Sequence, residues 1–163
     1  MDAETLEAAR AVALHFIGYA ARSRAEVEQR LTRAEFVPEV IAAVVAECEE
    51  RGWLDDAAFA RRWVEDRADR KRFGRARLAA ELRRKGVDRE DVDAALGTAD
   101  EEAELNRARA AARTKWRLNT PTEVDAETLK AEERKLSGFL QRRGFAWSTI
   151  SQVVAELRVQ GSG

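Results

Sequence analysis

Little in these 163 residues lends itself to covalent or metal chemistry: there is one cysteine, Cys48, and one histidine, His15. A single thiol excludes an intrachain disulfide framework and suits a reducing compartment. With one Cys and one His, a zinc site of the usual composition is excluded as well, and no cofactor is expected. No segment approaches the roughly 18 consecutive apolar residues of a membrane span. The opening "MDAETLEAAR" has no basic stretch followed by an apolar core, which predicts no secretory leader and a cytoplasmic setting. Neither a G-x-x-x-x-G-K-S/T loop nor a G-x-G-x-x-G turn is present to cradle nucleotide phosphates. The paired acids Asp55 and Asp56 sit at a helix start, where capping accounts for them. His15 beside Phe16 reads as a surface or packing residue, and Cys48 as a buried, inert thiol. No catalytic constellation remains, so the chain is not expected to be an enzyme.

Prolines are scarce too, only Pro38 and Pro121, and β-branched or aromatic clusters at period two are missing. What is abundant is alanine, leucine, arginine and glutamate, with 45% hydrophobic and 36% charged residues overall. That composition predicts a soluble, all-α protein. Helices are expected over about 3–21, from Ser23 to about 34, from Pro38 to the Gly52 cap, over 56–71, across "GRARLAAELRR", across "DREDVDAAL", and over 100–117, 127–143 and 147–158. Ser23 with Glu26 forms a capping-box pattern, and Pro38 suits a first helical turn. Residues 118–126, "LNTPTEVDA", form the one convincing irregular connection.

One helix is written three times. Val27 and Leu31, Leu78 and Leu82, and Leu136 and Leu140 are each spaced four apart; five residues after the second member come Phe36, Val87 and Phe145, and five further Ile41, Val92 and Ile150. The register predicts an elongated tandem array of three three-helix, helix-turn-helix-like repeats at 1–54, 55–98 and 99–158, with 159–163, including "QGSG", a disordered tail. Gly86 and Gly144 hold the corner between second and third helices, where a left-handed backbone is needed. The first copy has Glu35 there, at a cost of about 1 kcal/mol, so its corner is expected to be looser or differently shaped.

Charge is segregated. Net charge is −1, yet residues 61–86 carry a surplus of +7 and residues 88–104 one of −7. Cations at helix ends stabilise the dipole by about 0.3–1 kcal/mol each, which explains single residues but not so concentrated a segment. An interaction surface for phosphates or acidic protein does. Its candidate residues are Arg67, Arg70, Lys71, Arg72, Arg75, Arg77, Arg83, Arg84 and Lys85, joined by Lys115 and Arg117 and, in the third copy, Arg142 and Arg143. The side chains of Arg72, Arg75 and Arg84 lie off the Leu78–Leu82 stripe, which predicts that reversing their charge leaves the fold intact. Trp53, Trp63, Trp116 and Trp147 lie at helix ends or on apolar faces and read as structural; Trp116 alone is no stacking platform.

The segments "SRAEVEQRL", "GWLDDAAFARRWVEDR", "FGRARLAAELRRKGVD" and "LSGFLQRRGF", in this order between about 10 and 157, resemble the signature segments of the RecX family of bacterial recombination regulators. The resemblance implies an array of three-helix repeats that binds RecA filaments on single-stranded DNA and inhibits them. It thereby modulates ATP hydrolysis, strand exchange, DNA repair and the SOS response, with some weak direct DNA binding. Glu35 departs from the glycine common in the family, and the overall charge is near neutral. Two other readings of the residues stand beside this one: a helix-turn-helix-like DNA-binding protein, and a helical adaptor for an unrelated acidic protein. No helix carries an obvious base-reading row of Asn, Gln and Arg.

Overall fold

The computed structural model describes residues 1–118, 121 and 123–160. Among the described residues there are nine helices and no strand: α1 (Ala3–Tyr19), α2 (Arg24–Arg33), α3 (Pro38–Glu50), α4 (Asp56–Asp69), α5 (Arg75–Arg84), α6 (Arg89–Leu96), α7 (Glu101–Lys115), α8 (Ala126–Arg142) and α9 (Trp147–Val159). The expected connection at 118–126 falls partly, and the end of the tail at 161–163 wholly, outside the described residues.

The leucine register becomes a single local device. At the end of α5, Val87 N–H donates to the Leu82 carbonyl (3.1 Å) and Gly86 N–H to the Arg83 carbonyl (2.9 Å). At the end of α8, Phe145 N–H reaches Leu140 (3.2 Å) and Gly144 N–H reaches Gln141 (3.0 Å). These paired bonds satisfy carbonyls that a helix end otherwise leaves bare, and they place an apolar residue back over the leucine. Hence the apolar residue falls five positions after the leucine. Gly86 and Gly144 have φ of 77° and 91°.

The first corner closes in the same way, against expectation. Phe36 N–H donates to Leu31 (3.3 Å) and Glu35 N–H to Thr32 (3.0 Å), with Glu35 at φ 65°. Glutamate therefore accepts the left-handed conformation rather than reshaping the turn, because two hydrogen bonds and the packing of Phe36 against the core over-determine it.

The chain divides into two compact units. The first comprises Met1–Trp63 and Glu81–Ala95; the second comprises Val64–Ala80 and the residues from Leu96 on, so α4 and α5 each contribute to both. In the first, α1, α2 and α3 pack on one another around Ala9, Ala13, Val27, Leu31, Val44, Val45 and Cys48. In the second, α7, α8 and α9 enclose Leu105, Ala108, Ala112, Leu136, Leu140, Ile150 and Val153. The small alanines of α1 and α7 let their partners approach closely, and truncating a buried leucine of either core typically costs about 2–5 kcal/mol.

A corner in each unit docks on the start of an earlier helix. In the first unit the Ser23 hydroxyl caps α2 by accepting from Glu26 N–H (3.2 Å), and donates to the Lys85 carbonyl (2.5 Å). In the second, Gly74 N–H donates to the Arg143 carbonyl (2.7 Å) at the start of α5. Ser23 and Gly74 hold equivalent places in the repeat, as do Lys85 and Arg143. The backbone approach is close: a Cβ on Gly86 would overlap that of Ala25, and one on Gly74 would overlap the Gly144 carbonyl. The capping box is only half made. The Glu26 carboxylate turns away to Lys85 (3.5 Å) and Arg22 (3.7 Å), and Asp56 instead accepts from Arg24 N–H (2.8 Å) at the α2 start.

Candidate functional sites, one in each unit

Of the expected site residues, Arg83, Arg84 and Lys85 belong to the first unit, and the remainder, from Arg67 to Arg77 and from Lys115 to Arg143, belong to the second.

The second unit collects its cations around two phenylalanines. After α4 the chain turns at Arg72, which has φ 53°, and inserts Phe73 into the interior. The Arg77 guanidinium lies 3.7 Å from the Phe73 ring centroid; that of Arg143 lies 5.4 Å from Phe73 and 4.7 Å from Phe139. Lys71 approaches Phe73 at 5.9 Å and Lys115 approaches Phe139 at 5.6 Å. Such cation–ring contacts are worth about 0.5–1 kcal/mol each when exposed, and they hold like charges close that would otherwise separate. Arg143 donates to the Lys71 carbonyl and Arg77 to that of Arg142 (3.2 Å). Burial pushes the Arg143 guanidinium below its ordinary value, and the neighbouring charges of Arg77 and Arg72 push the same way. Among the described residues, neither Arg72 nor Arg143 has an ion pair with a carboxylate. The arrangement holds cations in fixed positions at mutual cost, a cost that a phosphate or carboxylate would relieve.

Other expected residues are used differently. Arg67 and Arg70 pair with Asp66 at 3.3 and 3.4 Å. Arg75 donates to the carbonyls of Leu96 (3.0 Å) and Gly97 (2.9 Å), closing the end of α6. Reversing its charge would therefore disturb the fold, contrary to the sequence expectation. Arg117 and Arg142 present exposed side chains. The sequence reading missed Phe73 and Phe139; the signal was an aromatic directly after "RKR" and another one turn before Arg143.

The first unit has a groove of about 520 Å³ between the α1–α2 pair and the adjoining parts of α4 and α5. Phe16 and Trp63 supply its apolar surface, and Arg30, Arg33, Arg84 and Lys85 its cations, against Glu26 and Glu81. Trp63 is half-buried, stacked on Phe59 (5.7 Å, 29°), with its indole N–H donating to Glu81 (3.0 Å). Arg30 and Arg33, on the last turn of α2, were not among the expected residues. For Trp147 the structural reading fails: it is 72% exposed at the first turn of α9, where the corner points it away from the core. His15 is exposed and edge-on to Tyr19 (5.3 Å), and Cys48 is fully buried, with burial raising its thiol above the ordinary range. Among the described residues no group of three or more His, Cys, Asp or Glu is placed to hold a metal ion, and no helix is long and apolar enough to cross a membrane.

Comparison with known proteins matches this architecture domain by domain. The family model for the first three-helix domain of RecX matches residues 9–48, that for the second matches 55–96, and that for the third matches 101–154. The regulatory protein RecX of Mycolicibacterium vanbaalenii is 41% identical over 155 residues, covering 93% of this chain and 83% of the relative. That of Thermobifida fusca is 40% identical over 154 residues, covering 91% and 77%. The crystal structure of RecX from Lactobacillus salivarius superposes with a TM-score of 0.81 over 97% of this chain and 99% of its own, at 19% identity. A second crystal structure, of a regulatory protein RecX, gives 0.79 over 93% and 73%, at 21% identity. At these identities the structures speak for the fold, three three-helix domains in tandem.

Proposed function

The chain belongs to the RecX family, and we propose that it acts in the cytoplasm, without catalysis of its own, as an inhibitor of the RecA recombinase. It docks on the RecA filament formed on single-stranded DNA and slows ATP hydrolysis and strand exchange, which restrains recombinational repair and the SOS response. The proposed docking units are the three repeats at 1–54, 55–98 and 99–158. Many weak contacts along a repeating partner sum without a deep pocket. The relatives' name, regulatory protein, supports the coarse reading. The observation that carries the finer one is the cluster of Lys71, Arg77, Lys115 and Arg143 at Phe73 and Phe139, with the charge of Arg72 beside Arg143. Its mutual repulsion is relieved by a polyanionic partner, and a nucleoprotein filament is one.

The experiment is ATP hydrolysis by RecA on single-stranded DNA, titrated with wild type and with the double variant Lys71→Gln/Arg72→Gln. Both side chains are exposed, so the core is untouched. The variant should need about tenfold more protein for equal inhibition, and the salt slope should fall by about one unit for every phosphate that the variant no longer neutralises. A folded double variant that inhibits like wild type removes the cluster from the mechanism. Wild-type protein that never slows hydrolysis removes the RecA reading itself. Gel shifts on naked DNA, with and without recombinase, separate a filament binder from a protein that binds DNA alone.

A further inference from the structure

The groove of the first unit is charged and apolar at once, and its parts are not equivalent. Glu26 and Glu81 are spoken for: Glu26 lies 3.5 Å from Lys85 and 3.7 Å from Arg22, and Glu81 accepts the Trp63 indole N–H. Arg30, Arg33 and Arg84 are in the opposite situation. Among the described residues none of the three has a carboxylate partner, whereas Arg10, Arg24, Arg109 and Arg158 each have one within 3.2 Å. Three guanidiniums from α2 and α5 thus face one groove with their forks unfilled. A planar fork matches a carboxylate or a phosphate in two parallel hydrogen bonds.

The aromatic surface decides between those two anions. Single-stranded nucleic acid binds by stacking bases on open ring faces. Here the faces are taken. Phe59 stacks on Trp63, the Lys85 ammonium stands 5.3 Å over the same indole, and the Arg22 guanidinium sits 4.0 Å over Phe16. The two glutamates also repel a strand charged at every nucleotide. A peptide places its acids selectively and sets an apolar side chain between them. We infer that this groove is a docking site for an acidic segment of a partner protein, with its carboxylates on Arg30, Arg33 and Arg84 and an apolar side chain against Phe16 and the edge of Trp63. The site needs neither nucleic acid nor a filament.

The test is fluorescence anisotropy with the full chain and three dye-labelled probes: a short Asp/Glu-rich peptide interrupted by Leu and Phe, the same peptide with Asn/Gln for every acid, and oligo(dT). The acidic peptide should bind, and its amide version at least about tenfold more weakly. Arg30→Gln/Arg33→Gln and Arg84→Gln should each lose about tenfold, while Arg89→Gln, an exposed arginine of the same unit outside the groove, retains wild-type affinity. Circular dichroism controls for folding, and the probe comparison on wild type alone decides the matter should a variant fail to fold. No binding of the acidic peptide, equal binding of the amide version, or folded groove variants that bind like wild type would each overturn the inference. So would oligo(dT) bound as tightly and lost in the same variants, which would make the groove a nucleic-acid site.

Discussion

Alanine at Gly86 should cost far more than alanine at Gly52, although the two glycines share a backbone. Gly52 has φ 74° and Gly86 has φ 77°, and each follows a helix whose last carbonyls it helps to satisfy. A left-handed alanine costs about 1–2 kcal/mol, offset by about 0.4–1 kcal/mol from the stiffer unfolded chain. Around Gly52 a Cβ meets nothing within 4 Å, so Gly52→Ala should lose only the difference, about 0.5–1 kcal/mol. At Gly86 the new Cβ would overlap that of Ala25, near the start of α2, where Ser23 already holds the Lys85 carbonyl. Relieving that overlap means shifting a corner against a helix, an overpacking cost of about 1–3 kcal/mol, so Gly86→Ala should lose about 1.5–4 kcal/mol in all. Ala25→Gly removes the opposing methyl, so a double-mutant cycle between the two positions should show about 1–3 kcal/mol of rescue. The assay is urea unfolding of the four proteins followed by far-ultraviolet circular dichroism. If Gly86→Ala falls within about 0.5 kcal/mol of Gly52→Ala and the cycle shows no coupling, the close approach is not what glycine provides there.

Three further outcomes follow from the same geometry. Glu35→Gly should raise stability by about 0.5–1 kcal/mol, the left-handed strain relieved less the added chain entropy; a lower melting temperature would mean that glutamate makes a contact worth more than its strain. Ser23→Ala removes the cap of α2 and leaves the Lys85 carbonyl without its donor, and should cost about 2–3 kcal/mol in urea unfolding, whereas a loss below about 0.5 kcal/mol would show water replacing both bonds. Asp56 is raised above 3.8 by burial, against the Arg24 N–H bond that lowers it, with further raising from Asp91, Glu49 and Asp88. The folded state therefore holds its proton longer than the unfolded state. Wild type should lose stability relative to Asp56→Asn as pH rises from about 3.8 through the raised value, and a difference constant across that window would refute the burial argument.

The fold was legible because its information is local. A leucine and an apolar residue five positions on are two ends of one hydrogen-bonded helix terminus, Leu31 with Phe36, Leu82 with Val87 and Leu140 with Phe145, so a spacing along the chain becomes a bond in space. Caps were legible for the same reason: Ser23 and Asp55 each accept from a backbone N–H three residues on. What could not be read is what each polar group does when local and distant partners compete. Glu26 stands where a capping box would use it and pairs with Lys85 instead; Arg75 leaves the binding candidates to hold the Leu96 and Gly97 carbonyls. A looser or differently shaped corner was expected at Glu35 on steric grounds alone. The turn there is set by two hydrogen bonds and a phenylalanine, which together outweigh about 1 kcal/mol of strain.

The candidate sites show where local reading stops. A +7 segment between residues 61 and 86 looks like one surface when charge is summed along the chain. Folding sends its pieces to different company. Arg72 and Arg77 meet Arg143, which is distant in sequence, because the corner after α8 docks on the start of α5. Arg84 and Lys85 meet Arg30 and Glu26 because the corner after α5 docks on the start of α2. The repeated corner-to-helix contact that stabilises the fold is thus also what assembles each cationic site. It brings the cation-rich end of one repeat's middle helix to the corresponding helix of the preceding repeat, so a pattern of single charges on three similar helices becomes two distinct cationic clusters. The occupants proposed for them differ because the neighbours of the cations differ. Phe73 and Phe139 carry guanidiniums over their rings without a nearby carboxylate at Arg143, whereas Trp63 is tied to Glu81 and shielded by Lys85. Charge alone would give both sites the same ligand; the carboxylates beside it are the ground for proposing phosphate at one and an acidic peptide at the other.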